Sequence, residues 1–263
     1  MSWAGFKKAI NRGIGQIQVS AGLVEKTTDP VYDAEEKRFK SFEARLLKFQ
    51  KEAKSNLDSM RAVTLTQRTI AEACEALYDD PSQGNGYAAL KYKEVSTKID
   101  EEGRKEFDDA YRVTVYEPVT TLSNSVSNEF NACMDKRRKK LLDYDLQKAK
   151  VRKLVEKPSG DAGKLPRNEA KLTAVRTHYE SLNTLLITDI PNLLSQRHEI
   201  LDPSVEALIK ANLQFWRAGA ARLREVEKKA TGSDLDLGNL GKEGVVEEAL
   251  EQMKELTICK GAA

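Results

Sequence analysis

Lysine and arginine crowd one part of this chain. Residues 136–171 hold thirteen of them against five Asp or Glu, a local excess of eight positive charges. The densest run is KRRKK at 136–140, followed by Lys148, Lys150, Arg152, Lys153 and Lys157, with Lys164, Arg167 and Lys171 a little further on. Ammonium and guanidinium groups at this density can attract phosphate-bearing partners. The charges alone fit three readings: a solvated helix face, a nucleic-acid contact, or an acidic lipid surface. Only one aromatic residue, Tyr144, falls among the charges, short of the interleaving that single-strand readers require, and no known DNA-reading motif is present. On a lipid surface each Lys or Arg contributes about 1 kcal/mol, screened by salt. Five consecutive helical residues spread around more than a full turn, so KRRKK cannot all face one ligand.

The N-terminal run MSWAGFKKAINRGIGQIQ offers a second kind of chemistry. On a helical wheel Trp3, Phe6, Ile10, Ile14 and Ile17 fall within an arc of about 80°. Lys8 and Arg12 lie on the opposite side, Lys7 sits at the boundary, and the first acid is Glu25. Gly5, Gly13 and Gly15 weaken any helix that stands alone in water. A marginal helix with an apolar stripe and a basic flank fits one that folds on a bilayer, burying its apolar face roughly 5–10 Å deep. An arm packed on the body of the protein, or a mitochondrial-type presequence, fits the same pattern.

Other chemistries find little support. His178 and His198 have no Cys, Asp or Glu at metal-ligand or triad spacing, and read as surface or interhelical polar residues. Neither GxGxxG nor GxxxxGK[ST] occurs, so no phosphate loop is expected. Cys74, Cys133 and Cys259 are scattered and odd in number, which suggests a reducing, intracellular compartment without disulfides. No run approaches 18 apolar residues, and the N-terminus lacks the apolar core of a secretory signal. The expectation is a protein that is not an enzyme and carries no cofactor or metal.

The elements that would position these residues are long helices. Charged residues make up 32% of the chain, above the roughly 25% of ordinary globular proteins, while Gly (15) and Pro (7) are scarce. The net charge is only +2, because the C-terminal acids offset the basic cluster: 234–255 holds seven acids and two bases. Pro30 and Pro81 bracket fifty residues free of both Pro and Gly. Within them Phe42, Leu46, Phe49, Ala53, Leu57 and Met60 step by three or four, and Cys74 and Leu77 extend the stripe past the polar stretch 64–67. Such a helix is roughly 75 Å long, more than a compact domain of this size spans, so an elongated molecule is expected. The run DDPSQGNGY (79–87) predicts a loop, and a second helical stretch follows from about Leu90 to Lys157, kinked at Pro118. KPSGDAGKLP (157–166) is the next break. A third helical region reaches about Ala230 with interruptions at Pro191 and Pro203. A short acidic helix with Val246, Ala249, Leu250, Met253 and Leu256 on one face ends the chain.

The pattern is therefore all-α: three long kinked helices, antiparallel because their loops are short. Three such helices cannot hide every apolar stripe from water, so a dimer is expected. Residues 1–22 form the N-terminal amphipathic segment, 23–232 the helical body and 233–263 the acidic C-terminal segment.

Several blocks resemble a known family. MSWAGFKKAINR, KEAKSNLDSMRAVT (51–64), KRRKKLLDYD (136–145), KAKVRKLVEKPSGDAGKLPRNE (148–169) and LDPSVEALIK (201–210) are similar to the BAR domains of the amphiphysin and fungal Rvs type. The likeness spans essentially the whole chain and is nearest to the shorter fungal members that lack a Src-homology-3 domain. The resemblance implies a crescent-shaped BAR-type coiled-coil dimer that binds acidic phospholipid, phosphoinositides among the candidates, and inserts its N-terminal helices. It implies a role in curvature sensing or generation, endocytic vesicle scission, cortical actin organisation and cell polarity. The expected location is cytoplasmic, peripheral on the plasma membrane at cortical actin and endocytic sites. The expected partner is a second copy or a longer Rvs or amphiphysin-type BAR protein. Only about thirty residues follow the third helix, too few for a Src-homology-3 module, so any link to actin-regulatory proteins would be indirect.

Carried over by position, the headgroup-binding set would be Lys136, Arg137, Lys139, Lys140, Lys148, Lys150, Arg152, Lys153 and Lys157. Lys164 and Arg167 join it, with Lys7, Lys8 and Arg12 from the N-terminal segment. The competing reading is an elongated coiled-coil scaffold for small GTPases or cytoskeletal proteins, its basic tip incidental.

Overall fold

The computed structural model describes residues 12–13, 24–79, 84–231 and 245–255, and all regular structure there is helical. Helix α1 spans Pro30–Glu75. Proline suits this first position, where its missing N–H is not needed. Asp29 caps the helix, its Oδ1 accepting the Tyr32 N–H at 3.0 Å. The second passage runs through α2 (Gly84–Lys98), a π-helical turn (Ile99–Gly103), α3 (Arg104–Tyr111), a second π-helical turn (Arg112–Tyr116) and α4 (Glu117–Glu156). Helix α5 is Lys164–Thr231 and α6 is Val245–Lys254.

Three local expectations are corrected. The apolar stripe of α1 does not reach Leu77, which lies beyond the helix end and is 81% exposed. The second passage begins at Gly84 rather than near Leu90. Pro191 and Pro203 do not interrupt α5, which continues as one helix through both. An interior proline costs about 3 kcal/mol, and buried neighbours such as Leu186, Ile190 and Leu194 hold this part of α5 in place. At Pro118 the disturbance takes a defined form. Just before it the Glu117 N–H bonds the Arg112 carbonyl, five residues back instead of four.

The described residues divide into two compact units. The first draws on Met1–Asn56 and Tyr111–Ile209. Its core holds Tyr32, Phe39, Leu46, Val119, Val126, Met134, Leu186, Ile190 and Leu194, with the Phe39 and Phe130 rings stacked 4.9 Å apart. Partner numbers fix the directions. Along α1 and the second passage, Tyr32 and Phe39 meet Arg137 and Phe130 of α4, and Ala53 accepts the hydroxyl proton of Tyr111, the last residue of α3, at 3.1 Å. Along α4 and α5, Arg137 meets Asn183 and Gln147 meets Asn168. As one number rises the other falls, so each pair is antiparallel.

The second unit draws on Leu57–Ala110 and Lys210–Ala263. Buried Thr64, in the stretch that breaks the apolar stripe, donates to Asp100 at 2.8 Å. Arg104 and Arg68 also pair with that carboxylate, so its burial is compensated. Phe107 and Phe215 meet edge to face at 5.5 Å. Val63, Leu65, Ile70, Leu213 and Trp216 of this unit remain exposed. No helix among the described residues is long and apolar enough to cross a membrane.

Candidate functional site

Helix α4 sorts the basic cluster by angle. Its inward side is marked by buried Val119, Ser123, Val126, Met134 and Arg137. At 100° per residue, Lys136, Lys139, Lys150 and Lys153 fall within about 100° of arc on the opposite side, and Lys157 follows just past the helix end. All five are exposed, and among the described residues none is held in an ion pair. They form one lysine face. Lys140 is half-buried beside it.

The remaining predicted residues differ. Lys148 and Arg152 stand on another side of α4 and share Glu25, at 4.0 and 3.6 Å, lining a shallow depression with Asp145 and Ala149. At the turn into α5, Asp161 accepts the Gly163 N–H at 2.9 Å and pairs with Arg167. Lys164 is exposed at the start of α5. Trp3, Phe6, Lys7, Lys8, Ile10, Ile14 and Ile17 lie outside the described residues. His178 and His198 are exposed.

Arg137 departs from expectation. It is 5% exposed, and its guanidinium lies over the Tyr32 ring, donates to Asn183 at 2.6 Å and Tyr179 at 3.3 Å, and faces Asp29 at 3.7 Å. An enclosed guanidinium with this many partners is not available to a headgroup. The signal was present in the sequence: Arg137 stands three residues after Met134 and four before Leu141, on the apolar stripe. Burial pushes the Asp29 carboxyl up, but the Tyr32 N–H, the Asn183 amide and Arg137 together hold it below its ordinary value. Burial pushes the Tyr32 phenol up to about 12, so it stays neutral.

The DYD run at 143–145 carries the chain that leads into α1. Buried Asp145 accepts the Thr27 hydroxyl at 2.6 Å and its N–H at 3.3 Å. Tyr144 stacks with Tyr179, ring centres 5.8 Å apart. Asp143 receives Arg12 in a two-pronged pair, Nε–Oδ1 at 2.8 Å and Nη2–Oδ2 at 2.6 Å. The hydrogen bonds that Arg12 donates to the Asp143 carboxylate hold its pKa above the ordinary value. Sequence reading singled out the motif but not its contacts, because partners 118 and 131 residues away leave no local pattern.

Comparison with known proteins follows the same lines. The family model described as BAR domain matches residues 6–231. The Saccharomyces cerevisiae protein named Reduced viability upon starvation protein 161 is 42% identical, covering 98% of both chains. The Candida albicans protein named Regulator of cytoskeleton and endocytosis RVS161 is 39% identical, again covering 98% of both. The solved amphiphysin BAR domain from Drosophila superposes with a TM-score of 0.64, covering 81% of this chain and 97% of that one at 22% identity.

Proposed function

The chain belongs to the BAR-domain family, and from that premise we propose that it binds acidic membranes through α4 and senses or generates their curvature. One observation carries this reading: Lys136, Lys139, Lys150 and Lys153 share the face of α4 turned away from its buried side, with exposed Lys157 just past its end. A row of unpaired ammonium groups on a rigid helix suits a diffuse layer of phosphates, since Lys acts as a flexible point charge that needs no fixed acceptor geometry. The N-terminal segment supplies the wedge, with Trp3, Phe6, Ile10, Ile14 and Ile17 entering the lipid.

The working protein is a dimer. Leu65, Ile70, Leu213 and Trp216 are between 45 and 57% exposed in the second unit, and a second BAR chain is the partner that covers them. Each such side chain contributes about 1.5–3 kcal/mol when fully buried. The partner is a second copy or a longer BAR chain carrying a Src-homology-3 domain. Two lysine faces on one body then bind with a shared effective concentration. The name of the Candida relative supports a role in endocytosis and cytoskeletal regulation, which this reading sets at the cytoplasmic side of the plasma membrane. Nothing in this reading requires catalysis.

Sedimentation with vesicles tests it. Binding to phosphatidylserine-rich vesicles is expected to weaken steadily as salt rises, with little binding to neutral phosphatidylcholine. Equal binding to both would overturn the reading in favour of a protein-binding scaffold.

A further inference from the structure

We propose that Asp143 is a releasable seat for the N-terminal segment, holding Arg12 on the lysine face in the free protein and yielding it to lipid phosphate at an acidic membrane. The inference rests on the membrane-binding reading above and adds to it a positioning residue that the basic residues alone do not reveal.

Place is the first ground. Asp143 falls inside the arc of Lys136, Lys139, Lys150 and Lys153, between Lys136 and Lys150, whereas the other acids of α4 lie at its edge (Glu117 and Asp135) or outside it. A bare carboxylate there would oppose the phosphates that the lysines attract. Arg12 neutralises it.

Geometry is the second. A guanidinium offers the same fork to a phosphate as to a carboxylate, so Arg12 can exchange one for the other without new side-chain preparation. The pair stands at the rim, with side chains 25% and 16% exposed, where lipid can compete. Lys139 and Lys140, one helical turn before Asp143, remain to balance its charge after release.

Contrast within the motif is the third. Asp145, two residues on, is 3% exposed and binds Thr27 twice. It anchors the linker whether or not Arg12 is held. One aspartate fixes the point from which the segment leaves the body, and the other holds it until lipid arrives.

Two measurements test the seat. In the lipid-free protein, tryptic cleavage after Arg12, followed by mass spectrometry, is expected to speed up about five-fold in Asp143→Asn, at the low end of ordinary coupling between sites. Unchanged cleavage would show that Asp143 does not hold the segment, whatever happens on vesicles. On phosphatidylserine vesicles, Asp143→Asn is expected to bind at several-fold lower protein concentration. Made in an Arg12→Gln background, the same change is expected to add nothing, because the seat is already empty. An equal gain in both backgrounds would mean that only overall charge matters and would overturn the proposal. Failure of the wild type to bind these vesicles would remove the membrane reading and the lipid half of the proposal, while the cleavage rates still decide whether the seat exists.

Discussion

The guanidinium carbon of Arg137 lies 3.2 Å from the centre of the Tyr32 ring and 5.3 Å from that of Tyr179. One arginine of the basic run thus joins the start of α1 to α4 and α5. Arg137→Ala is expected to destabilise the protein by about 2–4 kcal/mol, since it leaves Asp29 and two tyrosine faces without their cation. Urea unfolding checks this. A variant of full stability that binds lipid poorly would instead return Arg137 to the headgroup-binding set.

Acid should weaken the same region. Asp29 and Glu43 sit below their ordinary pKa values of 3.8 and 4.5. For Glu43 burial raises the value, but Lys40 and Asn131 outweigh it by hydrogen bonding. Groups depressed in the folded state contribute stability that is complete above their unfolded values and is lost as pH falls through the folded ones. Stability followed by urea midpoint should therefore hold level through neutral pH and begin to drop below about pH 4.5. The drop should be smaller in Asp29→Asn at its own lower starting level. An unchanged acid slope in that variant would contradict the assignment.

Lys148 and Arg152 differ from the lysine face because Glu25 stands against both. Changing these two to Gln is expected to weaken vesicle binding less than changing Lys150 and Lys153 to Gln. Sedimentation of both double variants on the same vesicles decides the order, and a reversed order would move the binding surface to the Glu25 side of α4.

Phe6→Glu removes an apolar residue from the N-terminal stripe and leaves α4 intact. It is expected to reduce vesicle tubulation, seen by electron microscopy, more than it reduces sedimentation. Equal loss of both would contradict the division between wedge and charged face.

Introducing a charge at Ile70 or Trp216 should disturb assembly. Ile70→Glu or Trp216→Glu is expected to lower the mass measured by light scattering from dimer to monomer, since an unpaired charge would be buried at the interface. A monomeric wild type, or dimers unaffected by both changes, would place the contact elsewhere.

Much of the fold was legible in the sequence because helices write their packing locally. Leu46, Ala53, Leu57 and Met60 follow the spacing that predicted them and are buried. The break at 157–163 was legible too, since proline and glycine act within a residue or two, whereas Gly84 to Tyr87, expected in a loop, are helical. What escaped depends on contacts between distant segments. Thr64 and Asp100 look like surface residues until they meet 36 positions apart. Proline inside α5 reads as a break because its neighbours' burial is invisible in one dimension. Of the candidate site, the lysines were found by type, but their division into a free face, a Glu25-paired set and the inward Arg137 needed the angle of α4 against its partners.

The most direct measurement is sedimentation of Lys150→Glu, Lys153→Glu, Lys157→Glu as one triple variant on phosphatidylserine vesicles, beside the wild type, from low to high salt. All three side chains are exposed and outside the packed core, so the triple variant should fold. At about 1 kcal/mol for each lysine near the surface, it should bind at least ten-fold more weakly and show a shallower dependence on salt. Wild-type affinity with an unchanged salt dependence would contradict the claim that this face of α4 meets the membrane.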